Sequence, residues 1–196
     1  MKINLLLILC FCSTNIFCQN INPSAVFART CYNKQECFSF NDNGASFLFY
    51  NQESHEFTVI VDFNILKIGN DTLDKWLEDL SGTKLVFKGV LNSENLLILS
   101  QHNSKSITVN GTISFNEIST SHSIELTMFE LSDKGLLYRN NEQDYYDRLK
   151  ANLQFSFYPK EFSLHKKEHH LKKTITVLIY NGYINKTSPL TEKLQN

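Results

Sequence analysis

The sequence predicts an all-β chain with one short helix, folded as an antiparallel sheet with one dry face. The stretch Ile107–Phe115 sets apolar Ile107, Val109, Ile113 and Phe115 against polar Thr108, Asn110, Thr112 and Ser114. That period of two is the mark of a half-buried strand. Leu149, Ala151, Leu153, Phe155 and Phe157 alternate in the same way with Lys150, Asn152, Gln154 and Ser156. The composition agrees, since 15 Phe and 8 Tyr against 3 Pro and 7 Gly suit long strands better than loop-rich scaffolds.

The first segment to place is a leader. Lys2 precedes an apolar run from Ile3 to Cys12, broken only by Asn4, and a polar stretch follows from Ser13 to Asn20. The run is about ten residues, half of the roughly twenty that a spanning helix needs, so residues 1–18 read as a secretory signal peptide. Cleavage after the small Cys18 leaves Gln19 first, although Ile16 fits the small-residue rule poorly. Of the five cysteines, Cys10, Cys12 and Cys18 then leave with the leader, and Cys31 and Cys37 remain. An even pair in an exported chain is expected to form a disulfide, a local staple worth about 2 kcal/mol because the loop is short.

Beyond the leader, Glu36–Phe40 and Ser46–Tyr50 flank Asn41-Asp-Asn-Gly44, which reads as a hairpin turn. Glu56–Ile65 puts Phe57, Val59, Val61 and Phe63 on one face and Thr58, Asp62 and Asn64 on the other, with Ile60 as the exception. Asp71–Leu80 changes period. Leu73, Leu77 and Leu80 fall at helical spacing, Asp71 caps the first turn and Gly82 stops it, with Trp76 expected to seal the apolar face on the sheet.

Lys84–Leu91 presents Leu85, Phe87 and Leu91 together, and Gly89 in line leaves room for neighbouring backbone or a bend. A brief apolar run at Leu96–Leu99 precedes the Ile107 strand. A turn across Asn116–Ser121 then leads to His122–Leu131, where Ile124, Leu126 and Met128 alternate with Glu125 and Thr127. Lys134–Arg139 reads as a further short strand. Ile175, Val177 and Ile179 open a last one that runs to about Ile184, and residues 185–196 form a polar tail. The order is that of a meander of roughly eight to ten strands.

Residues 19–184 are enough for one good core and short for two, so a single domain is expected. With Lys2 removed, the formal net charge of −1 becomes −2, which leaves no basic field for nucleic acid. No later segment is long and apolar enough for a spanning helix. Nucleophile elbows and phosphate-cradling glycine loops do not occur. The carboxylate pairs Glu78–Asp79 and Asp144–Asp147 lie in polar stretches with no reason for raised proton affinity. Neither an enzyme nor a cofactor is expected.

Four stretches resemble the YceI-like family of exported bacterial proteins, also described as polyisoprenoid-binding. Leu85-Val-Phe-Lys-Gly-Val-Leu91 is similar to its strand ending in an aromatic, a variable residue and glycine. Ile107–Asn116 with His122-Ser-Ile-Glu-Leu126 looks like its central hairpin, although Asn116-Glu-Ile-Ser119 stands where the family usually turns through glycine. Leu153–Phe162 is similar to its late strand and aromatic loop, and Ile175–Tyr183 to its closing strand. The resemblance covers roughly Phe57 to Ile184. It implies a lipocalin-like antiparallel β-barrel that holds a long apolar chain and has no catalytic residues.

On that basis the candidate cavity lining is Phe57, Val59, Phe87, Val109, Ile113, Leu126, Leu153, Phe155, Ile175 and Val177. The partner is an isoprenoid or fatty acyl chain, with Lys166, Lys167, Lys172 and Lys173 placed to hold an anionic headgroup. His165 and His169 in the same loop have ligand spacing only on a helix, and adjacent lysines oppose a divalent cation, so no metal is expected. The competing expectation comes from the same phenylalanines: they can fill the interior, leaving an envelope protein that acts through its surface.

Overall fold

In a computed structural model of the chain, the described residues are 21–31, 37–63, 84–95, 105–115, 117–130, 149–163 and 174–186, the side chains of 30, 31, 37–42 and 130 excepted. They form β1 (Ser24–Cys31), β2 (Cys37–Tyr50), β3 (Glu56–Asp62), β4 (Lys84–Val90), β5 (Ile107–Phe115), β6 (Ile118–Glu130), β7 (Leu149–Phe157) and β8 (Ile175–Lys186). Each strand pairs with the next and β8 returns to β1, which closes an antiparallel barrel. A single 3₁₀ turn, η1 (Pro159–Phe162), follows β7. The leader, the 71–80 helix, the 96–99 and 134–139 runs and the tail beyond Lys186 lie outside the described residues.

Alternation decides which face is dry. Along β7 every second residue from Leu149 to Phe157 is buried, and along β5 Ile107, Val109, Ile113 and Phe115 are buried, as their period of two requires. The β5–β6 register runs unbroken from Ile107↔Leu126 to Phe115↔Ile118, so apolar residues meet inside. Outside, hydroxyl and amide pairs lace the same strands. Ser114 Oγ lies 2.8 Å from Ser119 Oγ, and Ser123 Oγ donates to Asn110 Oδ1 at 2.7 Å. The turn is much shorter than the Asn116–Ser121 segment anticipated. Glu117 takes a left-handed φ of 64°, so a tight reversal is made without glycine and the strand register is kept.

Two further features differ from the sequence expectation. Asn41–Gly44 is not a hairpin turn but part of the continuous strand β2. β1 pairs Ser24 with Ser46 and then Val26 with Asp42, so the surplus residues of β2 form a bulge. That bulge absorbs the turn-prone residues while β2 passes from pairing with β1 to pairing with β3. The second difference is β1 itself. Its sequence, Ser24-Ala-Val-Phe-Ala-Arg-Thr-Cys31, alternates only weakly, and its place is fixed by two neighbours rather than by its own pattern.

Barrel closure depends on a second bulge. Between Ala151 and Leu153 of β7, β8 supplies an extra residue, Asn181 adopts φ 52°, and Asn152 Oδ1 accepts the Asn181 N–H at 2.8 Å. Beyond the bulge, β8 runs parallel to β2 with Leu48 opposite Ile184. Buried Asn185 bridges the junction, donating to the carbonyls of Asn22 and Leu48 and accepting the Asn22 N–H.

The barrel also carries a second, smaller apolar layer on its outer wall. Phe49, Ile60 and Val86, from β2, β3 and β4, are buried there together, with Ile21 and Phe47 packed beside them. Ile60, the break in the β3 alternation, marks this layer.

Candidate functional site

The interior is one continuous apolar cluster. Phe57 and Val59 of β3, Phe87 of β4, Val109 and Ile113 of β5, Leu126 of β6, Leu153 and Phe155 of β7, and Ile175 and Val177 of β8 all belong to it. Each candidate lining residue therefore reaches the same space. Among the described residues the fully buried ones with polar side-chain atoms are Ser24, Ser46, Thr58, Asn185 and Tyr50, so no carboxylate, imidazole or cationic side chain is fully buried in the barrel. Such an interior offers dispersion and hydrophobic contact to an apolar group.

Glycine shapes one wall of this interior. Gly89 and Gly111 face each other across β4 and β5, and the Phe87 ring lies over both. A Cβ at Gly89 would come within 2.9 Å of Phe87 Cζ. The ring therefore rests on backbone, which is why a large aromatic fits where a third side chain would not.

Four phenylalanines close one end. Phe63 and Phe115 meet edge to face at 5.3 Å, Phe115 and Phe162 at 6.0 Å, and Phe157 and Phe162 at 5.7 Å. Phe162 is brought there by η1, whose Pro159 begins the turn and whose following Ser163 ends it in the left-handed region. His122 of β6 fastens the turn, with Nε2 3.1 Å from Glu161 Oε2 and its ring stacked on Phe162 at 6.5 Å. The two side chains are 15% and 31% exposed, so this bond is worth at most about 1 kcal/mol and acts chiefly to position.

The turn stands where the wall is incomplete. Registered pairs between β6 and β7 extend only from Glu125↔Gln154 to Glu130↔Leu149. Residues 118–124 of β6 have β5 on one side and η1 near the other. Thr120 lies in this stretch on the inward-facing side, opposite Ile113. Its Oγ1 is sealed from solvent and has no hydrogen-bond partner. The sequence reading passed over Thr120 by assigning it to a turn. The signal was nevertheless present, because Ile118, Thr120, His122 and Ile124 keep the period of the strand that follows.

Lys166, Lys167, Lys172 and Lys173 lie outside the described residues, as do His165 and His169. The residues that bound their loop, Ser163 after η1 and Thr174 before β8, belong to the phenylalanine-closed end. Cys31 and Cys37 are directly opposite in the β1–β2 register. Among the described residues there is no group of three or more potential metal ligands, and no helix is long and apolar enough to cross a membrane.

No known family model matches the sequence, and no curated protein matches it. Solved structures do share the architecture. A polyisoprenoid-binding domain from Saccharophagus degradans implicated in plant cell wall breakdown superimposes with a TM-score of 0.56 at 11% identity, over 84% of this chain and 97% of that one. BcnA of Burkholderia cenocepacia gives 0.49 at 7% identity, over 80% of this chain and 93% of its own. The likeness to the first is one of fold, and it is the fold that the YceI-like resemblance implies.

Proposed function

We propose that the protein is an exported carrier or binding module for a long apolar chain, an isoprenoid or fatty acyl group, held inside the barrel. The observation that carries this reading is the interior itself: one apolar cluster drawn from all eight strands, without a fully buried carboxylate, imidazole or cationic group among the described residues. Burying about ten methylenes there yields roughly 8 kcal/mol before ordering costs, enough for micromolar binding when the space is already open. The neighbouring polyisoprenoid-binding domain supports the same class of ligand through its fold. The protein is a binder rather than an enzyme on this reading.

The remaining parts of the proposal attach to this barrel. Residues 1–18 direct export to the periplasm or beyond, and their removal leaves all eight strands intact because β1 opens at Ser24. Cys31 and Cys37 form a disulfide there. Opposed residues of an antiparallel pair are about 4.5–5.5 Å apart at Cα, inside the range that a disulfide spans. Lys166, Lys167, Lys172 and Lys173 take an anionic headgroup, since both ends of their loop belong to the phenylalanine-closed end.

Mass spectrometry of solvent extracts from natively purified protein, with titration of isoprenoid and fatty acyl probes, tests the carrier reading. Stoichiometric lipid or saturable binding is expected. The edge-to-face contacts of Phe63, Phe115, Phe157 and Phe162 favour a second reading, a barrel filled by its own side chains that acts through its surface. Absence of both lipid and saturable binding would establish that second reading in place of the first.

A further inference from the structure

We propose that Thr120 and His122 form an internal headgroup site for the hydroxyl end of a long apolar alcohol; the inference rests on the apolar-chain reading above. Thr120 Oγ1 is the single buried side-chain nitrogen or oxygen without a hydrogen-bond partner among the described residues. Buried polar atoms in folded proteins are nearly always paired, so an isolated one beside an apolar interior is open to a polar atom from a ligand. Its position supports that reading. Thr120 shares the inward side of β6 with Ile118, Ile124 and Leu126, and it lies where the β6–β7 ladder has stopped.

His122 supplies the second contact. It follows Thr120 by two residues on the same side of the strand, about 7 Å along it. Its Nε2 is engaged by Glu161 Oε2 at 3.1 Å. A carboxylate only accepts, so Nε2 carries the proton, and in the neutral ring Nδ1 is left as an acceptor. Thr120 Oγ1 both donates and accepts, and Nδ1 of the neutral ring accepts. A hydroxyl, which donates once and accepts, matches both. Glu161 acts as a positioning residue that fixes the imidazole.

Titration of the full mature protein with farnesol and with farnesyl methyl ether, read by calorimetry, tests the site. The ether keeps the chain and an acceptor oxygen but has no proton to give. Wild type should bind farnesol about tenfold more tightly than the ether. Thr120→Val, which keeps shape and removes the hydroxyl, should weaken farnesol by about tenfold with an unchanged or higher melting temperature, and Thr120→Ser should restore binding. Equal affinity of wild type for the two probes, or an unchanged farnesol affinity in Thr120→Val, overturns the hydroxyl site and leaves the apolar-chain reading intact. Binding of neither probe by wild type overturns both.

Discussion

The Cζ of Phe87 stands 2.7 Å from the point that a Cβ on Gly111 would occupy, so the ring and the glycine share one space. The Lys88 carbonyl crowds the same point from the backbone of β4 and cannot rotate away. Gly111→Ala should therefore destabilise the barrel by about 1–3 kcal/mol in urea unfolding, as overpacking does. Phe87→Leu should remove part of that penalty, so the double variant should cost less than the sum of the singles.

Phe155 lies within the interior cluster and stacks on Phe157 at 6.4 Å. Phe155→Ala should cost about 3–5 kcal/mol where its surroundings are packed. A loss below about 1 kcal/mol would show that the ring borders open space, the condition that the carrier reading favours. Equilibrium denaturation decides between them.

Thiol labelling of denatured, unreduced protein should be silent, because the register sets Cys31 across from Cys37. Two labelled cysteines would show the pair to be reduced. Replacing both with serine should cost at most about 2 kcal/mol, since the loop they close is short.

Glu117 holds φ 64° at the β5–β6 turn. Left-handed backbone costs a non-glycine residue about 1–2 kcal/mol, and the greater freedom of unfolded glycine offsets about 0.5–1 of that. Glu117→Gly should accordingly be neutral or stabilise by up to about 1 kcal/mol. Glu117→Val should destabilise, and thermal melts of the two variants should move in opposite directions.

Replacing Lys166 and Lys167 together with alanine should weaken anionic lipids and spare neutral ones. Vesicle- or micelle-delivered fatty acid and fatty alcohol probes make the comparison. Equal loss for both would remove the loop from headgroup recognition.

The strands that alternate cleanly were legible from sequence. β5 and β7 bury the residues their period assigns, and every lining candidate reaches the interior. Legibility failed where tertiary pairing overrode local chemistry. Asn41-Asp-Asn-Gly44 has turn-forming residues yet forms a bulge, because β1 and β3 both pair with β2 on either side of it. β1 was missed because a strand held by two partners needs little pattern of its own. Thr120 was lost for a different reason. A polar residue at an inward position reads as a turn residue until the register shows that it faces Ile113.

The clasp between Asn22 and Asn185 joins residues 163 positions apart in the chain. β1 also needs β8 as its second neighbour, so neither edge of the sheet is satisfied before the last strand has docked. Pairing of such sequence separation makes folding slow and exposes unpaired edges meanwhile. A ribosome or translocon delivering this chain from its N-terminus would hold an open sheet until almost the whole polypeptide had emerged. Premature truncation near residue 174 would therefore leave no smaller barrel, only an unclosed and aggregation-prone sheet.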